Sequence, residues 1–503
     1  VIVVGGGLFG CLLAHRLTVR GVRVLLLEAD DLGARAARKR LVLDPGLTGR
    51  LDPAAASRSR RLLSMLSAQA PHLCRQTTAI VATRGGFATQ RALSVLELHD
   101  RGPDGPLAEA RAISECERLS APIALTAHTL DERRWVLALA LSALARGADV
   151  RVGLGVRWVR PEQDALAVQL ASGEILRAPI VVLATGGDVT RLLESEDSPR
   201  PSLLPNAPLE HALELLMRPQ ISEHAFVDSQ DQLRIEHLPA PDGSLVRITG
   251  AEVIELDRAL DALGRAVAID GIEVHDHQAV ARHVGPVAVQ SGRLPGLFTV
   301  TGNELVSAHI EVQRLAHALA TRLGHPSTLD VGDDARLEDG DFEVSPAIER
   351  TRLGVEILST LAARHGERAS AIAERVMRAP REGAMVCPCR TVIEAELRHA
   401  HRDELARDLS ALARRTELGT GACAAVRCAH RAAAVLAEET LAEEQQEAEY
   451  ASPTDAAVAF LRERARCTHL DPGRASILAE LREGMARAAG LGPILQALPR
   501  GDG

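Results

Sequence analysis

The first ten residues, Val1-Ile2-Val3-Val4-Gly5-Gly6-Gly7-Leu8-Phe9-Gly10, decide how the rest of the chain is read. Four β-branched residues in a row make a strand buried on both faces, as in a parallel sheet. Gly5, Gly7 and Gly10 then supply G-x-G-x-x-G. The first glycine allows a tight turn, the second lets backbone approach a pyrophosphate, and the third lets helix and strand pack closely. A helix from Cys11 to Arg20 aims its first N–H groups at the phosphates. A second strand, Val22 to Leu27, ends at Glu28, a carboxylate suited to ribose hydroxyls and repelled by the 2′-phosphate of NADP. A glycine turn alone is weak. Strand, turn, helix, strand and acid in this order make a dinucleotide site.

Two later strands favour FAD as that dinucleotide. Val181-Val182-Leu183-Ala184-Thr185-Gly186-Gly187 is similar to the strand and A-T-G turn of two-domain FAD oxidoreductases. Leu297-Phe298-Thr299-Val300-Thr301-Gly302 is a third strand ending in glycine, of the kind that returns to a flavin. The expected cofactor-binding residues are therefore Gly5, Gly7, Gly10, Glu28, Thr185, Gly186 and Gly302.

Composition narrows the alternatives. The 503 residues accommodate several domains, and 46% hydrophobic with 25% charged residues is ordinary for a globular protein. A net charge of −9 gives no general attraction to nucleic acid, and 2% aromatics argue against base-stacking platforms. No apolar run is long enough to span a bilayer. The sequence starts inside a strand without methionine, which leaves room for earlier residues and a signal peptide.

Of eight cysteines, Cys11, Cys74, Cys116 and Cys467 are scattered, whereas Cys387, Cys389, Cys423 and Cys428 form two tight pairs. C-x-C places two thiolates on one short loop, and C-x4-C places two more around one helix turn. Four thiolates suit an iron–sulfur cluster or structural zinc, and a reducing compartment rather than a disulfide framework. Helices are expected over Val392–His399, Leu405–Arg414 and Cys423–Leu436. The pattern resembles the small helical [2Fe–2S] domain of bacterioferritin-associated ferredoxin.

A flavin site followed by such a domain resembles the large subunit of anaerobic glycerol-3-phosphate dehydrogenases over almost the whole chain. The likeness is carried by Leu361 to Ala369, by Arg415-Thr416-Glu417-Leu418-Gly419-Thr420-Gly421-Ala422-Cys423, by Phe460-Leu461-Arg462-Glu463-Arg464, and by the helix from Asp131 to Ala148. It implies oxidation of a secondary alcohol, sn-glycerol 3-phosphate in that family, with FAD and a [2Fe–2S] cluster as cofactors. It also implies a partner subunit carrying electrons toward quinone, and a cytoplasmic site peripheral to the inner membrane face through that partner. Rival readings are a catalytically degenerate electron-transfer or scaffold subunit, or a dehydrogenase of hydroxy or amino acids.

The family's substrate positions depart from its pattern. Its loop lysine, histidine and last arginine read Leu41, Asp44 and Thr48, with Arg50 available to a shifted alignment. Its later cations read Gly285, Glu304 and His309. A dianionic phosphate needs cationic forks, and a glutamate repels it. His283 and His309 are the candidate catalytic bases for a carbinol proton, against the alternative of structural histidines. Arg35, Arg38, Lys39 and Arg40 form a basic cluster, either an anion-capturing group or a solvated helix face. His365 and His430 read as helix residues.

The expected class is α/β: an FAD-binding Rossmann-type core with an interleaved α+β substrate lobe over residues 1–335, strands of the lobe running near Val150–Val159 and Ile235–Ile248. A helical linker over 336–382 leads to an all-helical ferredoxin-like [2Fe–2S] domain over 383–440. A helical tail over 441–503 follows, opening on the acidic run Leu441–Glu447.

Overall fold

In the computed structural model, the described residues are 1–36, 38, 40–43, 57, 61–66, 69–82, 122–186, 192, 209–240, 243–283, 287–290, 294–302, 305–325, 337, 353–443 and 452–467. The opening residues form β1 (Ile2–Val4), fully buried, followed by α1 (Leu8–Val19) and β2 (Leu25–Leu27). β1 lies between β2 and β10 (Val181–Leu183), parallel to both. With β6 (Asp149–Arg151), β16 (Val287–Gln290) and β17 (Leu297–Thr301) they give a six-stranded sheet of order β16-β17-β10-β1-β2-β6. β16 is its antiparallel edge strand. A parallel sheet of this kind gathers the C-terminal ends of its strands at one rim. The registers Val4↔Leu27, Val4↔Leu183 and Leu183↔Thr299 bring the loops after β1, β2, β10 and β17 to that rim.

α1 is buried almost all round, against α2 (Glu132–Ala145) and α4 (Leu305–Arg322). This is why its sequence lacks the usual polar stripe. The Asp131 side chain caps α2 by accepting from Arg134 N at 3.0 Å.

A second sheet has eight strands. Its members are β3 (Arg40–Leu43), β4 (Cys74–Ala82), β5 (Pro122–Leu130), β11 (Leu209–Arg218), β12 (Ala225–Gln230), β13 (Leu233–Ala240), β14 (Gly243–Gly250) and β15 (Glu273–His283). They run in the order β15-β11-β14-β13-β12-β4-β5-β3. β7 (Val156–Pro161), β8 (Leu166–Leu170) and β9 (Ile175–Ala178) make a separate antiparallel sheet. The Val150–Val159 strand expected from sequence is thus two strands in two sheets, β6 and β7. Gly153, with φ of 74°, turns the chain between them. α3 (Leu256–Ala266) shows a strongly amphipathic face, burying Ala259, Ala262, Leu263 and Ala266.

The contact pattern divides the chain into two units. The first comprises residues 1–214, 221–270 and 279–340, and the second 215–220, 271–278 and 341–503. The second unit takes in the segments expected as linker, cluster domain and tail. α5 (Val355–His365) and α6 (Arg368–Arg378) lie in the expected linker. Their Leu361, Ala369, Ile372 and Val376 nevertheless share a core with Ile393 and Ala395. β18 (Met385–Cys387) and β19 (Val392–Ile393) form a small ladder before α7 (Glu394–Asp403), α8 (Leu409–Thr416) and α9 (Ala429–Glu443). α10 (Pro453–Cys467), from the expected tail, places Phe460 and Ala457 in one core with Cys387, Leu418 and Cys428. Linker and tail are apolar on one face, so each buries that face where the cluster segment offers its own.

Two buried histidines in the first unit make it acid-labile. His15 on α1 is held down to about 3 by burial and by the nearby Arg16, Arg146 and Arg20 charges, and neither ring nitrogen has a hydrogen-bond partner. His237, stacked on Phe226 with ring centroids 4.6 Å apart, is held down to about 4 by burial. Between the ordinary value of 6.5 and these depressed values, the unfolded chain binds protons that the folded chain refuses. Stability is therefore full above pH 6.5 and falls as the pH drops, by about 1.4 kcal/mol per pH unit for each ring. Urea midpoints measured between pH 7 and 5 are expected to fall, and His237→Gln is expected to flatten the slope. A flat wild-type profile excludes this account.

Candidate flavin cavity and thiol cluster

A cavity of about 380 Å³ opens at the rim of the parallel sheet. Of the residues expected from sequence, Gly5, Gly7, Glu28, Thr185, Gly186 and Gly302 all line it. The strand registers bring them together. Gly10 does not line it; it packs beneath. A Cβ on Gly10 would lie 1.8 Å from Gly5 O, and one on Gly5, whose φ is 109°, would lie 2.6 Å from Ala184 O. Gly7 has nothing within 4 Å of the corresponding position, so its missing side chain leaves open space. The glycines divide the labour expected of the turn: close packing at Gly5 and Gly10, approach of a ligand at Gly7.

Glu28 is buried beside this turn. Its Oε2 accepts from Gly6 N at 2.5 Å, and its Oε1 from Asp30 N at 2.8 Å. Burial pushes its carboxyl above the ordinary range, against the pull of those two N–H donors. The carboxylate is thus fixed at the end of β2 in the place a ribose diol would meet.

Sequence reasoning missed the segment after β6, where Leu154 and Gly155 of the loop and Val156 and Arg157 of β7 also line the cavity. The signal was present: a second glycine, Gly155, follows a strand that neighbours β2. Arg35 lines the cavity too, within turns rather than on a helix face. Arg38 instead presents its backbone N–H to Glu214 Oε2 at 3.2 Å. Lys39 lies outside the described residues, as do Asp44, Thr48, Arg50, Gly285 and Glu304, and so does the Arg40 side chain.

His309 does not reach the cavity. It sits on α4, fully buried, with Nδ1 3.1 Å from Arg16 Nη2 on α1. Its helix packs on α1. His283 ends β15, and its side chain lies outside the described residues.

The four paired cysteines converge in the second unit. Cys389 Sγ and Cys423 Sγ are 3.7 Å apart. The neighbouring Cys428 thiol holds Cys387 down to about 6, and the N–H groups of Gly419 and Arg390 add to this against burial. The same interaction and burial push Cys428 up. Burial raises Cys423, opposed by the Arg427 N–H. Backbone N–H groups aimed at sulfur are what a buried thiolate requires.

The loops close tightly here. A Cβ on Gly421 would lie 2.3 Å from Cys389 Cβ. Thr391, Glu417, Ala424 and Ala425 all have left-handed φ, at 52°, 61°, 44° and 71°. This corrects the helix expected from Cys423: two consecutive left-handed residues break it, so Cys423 and Cys428 occupy turns and α9 starts at Ala429. Glu417, where the resembled family has arginine, ion-pairs with Arg390 and lies 3.6 Å from Arg364.

Residues 1–207 match the family model described as FAD dependent oxidoreductase. The chain is an FAD-dependent oxidoreductase. Residues 334–447 match the C-terminal domain of alpha-glycerophosphate oxidase, which spans both the expected linker and the thiol loops. Among curated relatives, one subunit of the anaerobic glycerol-3-phosphate dehydrogenase of Escherichia coli (strain K12) is 24% identical over 493 residues, covering 87% of each chain. Rifampicin monooxygenase of Streptomyces venezuelae is 33% identical over 190 residues, 38% of this chain and 32% of that one, so this chain spans about a third of that relative. Among solved structures, glycerol-3-phosphate dehydrogenase from Bacillus halodurans complexed with FAD superposes with a TM-score of 0.64 at 17% identity, covering 93% of this chain and 94% of that one. The fold of this FAD-dependent oxidoreductase is thus an α/β FAD-binding core with a helical C-terminal region. Among the described residues, no helix is long and apolar enough to cross a membrane.

Proposed function

We propose that the chain is the flavin-bearing component of a dehydrogenase that oxidises the carbinol carbon of a secondary alcohol. Electrons leave by way of a [2Fe–2S] centre on Cys387, Cys389, Cys423 and Cys428, toward a partner subunit, then the quinone pool at the inner face of the membrane. The observation that carries this reading is one chain holding both a dinucleotide cavity and four mutually interacting thiols. Bound there, FAD supplies hydride acceptance and the conversion between two-electron and one-electron transfer, and the cluster supplies one-electron transfer.

The chain's own residues bind and orient. Gly7 and the first N–H groups of α1 take the pyrophosphate, Glu28 takes the ribose hydroxyls, and Thr185, Gly186 and Gly302 also line the cavity. Arg35 and Arg157 add positive charge to its lining. In the helical unit, the N–H groups of Arg390, Gly419 and Arg427 stabilise charge on sulfur.

A two-iron centre is favoured over zinc by how the thiols associate. Cys387 pairs with Cys428, and Cys389 with Cys423. The separation of 3.7 Å equals one edge of a tetrahedral metal–thiolate site, about 3.8 Å for a metal–sulfur bond of about 2.3 Å. A single zinc would bring all four thiols that close. Among the described residues, the one trio of metal-ligating atoms within 4.8 Å of each other is His365, His399 and Glu404, with no trio of these thiols.

A specific observation favours a changed or silent substrate site. His309, where the resembled family has a phosphate-facing arginine, is buried against Arg16. Glycerol 3-phosphate would lose two charge-assisted hydrogen bonds of about 1.5–3 kcal/mol each, and bind on the order of 10²–10⁴-fold more weakly. Anaerobic flavin bleaching is expected to half-saturate only at high millimolar glycerol 3-phosphate. Bleaching by another hydroxy or amino acid identifies a changed substrate, and none by any of a panel supports an electron-transfer role. Micromolar half-saturation restores glycerol 3-phosphate as the substrate.

A further inference from the structure

The helical unit holds a second cluster of ligating side chains, apart from the cysteines. His365 ends α5, His399 lies on α7, and Glu404 is the residue after α7; all three are buried. One ligating atom from each of the three lies within 4.8 Å of those of the other two. His365 Nδ1 is 3.4 Å, and His399 Nε2 3.9 Å, from the same carboxylate oxygen.

The far side of each ring is fixed by another carboxylate. His365 Nε2 faces Glu396 Oε1 at 2.9 Å, and His399 Nδ1 faces Asp403 Oδ2 at 2.8 Å. An ionised carboxylate only accepts, so those nitrogens donate. In a neutral imidazole the other nitrogen is then a lone pair. Both lone pairs therefore point at an oxygen that also offers lone pairs. His399 Nε2 is buried with no hydrogen-bond partner, and leaving it so is costly. The arrangement wants a positive centre.

We infer that His365, His399 and Glu404 bind a divalent transition-metal ion of the zinc type. Tetrahedral zinc with bonds of about 2.0–2.1 Å separates its ligands by roughly 3.4 Å. The 3.4 Å separation matches that edge, and the 3.9 Å one is too long for a hydrogen bond yet closes onto a metal with a small shift. A carboxylate behind each ligating imidazole is the support that fixes its tautomer and raises its basicity. Arg368 Nη1 is 3.5 Å from Glu404 Oε1, so the arginine shares the carboxylate or turns to its other oxygen. The competing positive centre is a proton, which makes one ring an imidazolium held by Glu404.

The two occupants separate by metal analysis of the intact chain by mass spectrometry. The protein as purified is expected to hold near-stoichiometric zinc beside any iron. His399→Ala should lose the zinc and keep flavin and iron, while Cys389→Ser should keep the zinc. Wild-type protein without zinc after dialysis against zinc salts, or His399→Ala with undiminished zinc, overturns the site in favour of the imidazolium. Should His399→Ala fail to fold, cobalt exchanged into the wild-type chain decides. Tetrahedral d–d bands without thiolate charge transfer support the nitrogen and oxygen site; absence of those bands, or thiolate charge transfer alone, overturns it. The outcome is independent of the thiol reading, because iron and zinc are counted separately.

Discussion

Gly7→Glu is expected to yield a folded, colourless protein, and Gly10→Ala one that neither binds flavin nor folds stably. The two glycines sit three residues apart in one turn, but the space around them differs completely. At Gly7 the backbone has φ of −82°, which any residue adopts, and nothing stands within 4 Å of the added Cβ. The new carboxylate enters the cavity and opposes the pyrophosphate. At Gly10 the added Cβ meets the Gly5 carbonyl oxygen at 1.8 Å. That atom belongs to the turn itself and cannot rotate away. Overpacking ordinarily costs about 1–3 kcal/mol; a backbone collision at the junction of β1 and α1 belongs at or above the top of that range. Flavin absorbance after gel filtration, read beside a circular-dichroism melt, separates the two effects. Gly7→Glu that keeps stoichiometric FAD would show that the cavity is not the flavin site.

The second large effect concerns the thiols. Cys423→Ser and Cys428→Ser are each expected to abolish iron binding and the EPR signal of the reduced protein. Flavin should remain, since every cavity-lining residue belongs to the first unit and every thiol to the second. A lost thiolate leaves one metal three-coordinate, and serine does not replace the soft sulfur donor that iron–sulfur chemistry requires. Cys428→Ala carries an additional signature. It removes the neighbouring side chain that lowers Cys387 to about 6, so the metal-free variant should react with thiol reagents more slowly at neutral pH than metal-free Cys423→Ser. Anaerobically purified wild-type protein with zinc in the thiol site and no iron would transfer these cysteines to a structural role.

Much of this was legible because the physics is local. Val1 to Val4 make a strand wherever they are placed in a core, and the glycine spacing dictates the turn that follows. The strands near Val181 and Leu297 stood out as apolar runs closed by glycine. Their convergence followed from one rule, that parallel strands bring their C-terminal ends to a common rim. Paired cysteines carry their chemistry in their identity. The C-x4-C segment shows the limit of local reading. Ala424 and Ala425 are good helix formers, yet packing around the thiols imposes left-handed φ on both, and the helix begins only after Cys428.

Residue order was enough for the dinucleotide turn, the parallel core, the lining glycines with Glu28 and Thr185, and the identity of the four thiols. Each depends on residues near one another in the chain or on a single rule of sheet topology. The rest came from packing. It buried His309 against Arg16, because α1 and α4 face each other across more than 290 positions of sequence. It drew the expected tail into one core with the thiol loops, and the expected linker into another with Ile393 and Ala395, because their apolar faces find cover there. It also set His365, His399 and Glu404 around one point. No spacing rule relates the end of one helix to the end of another two helices later; only the packing of those helices does.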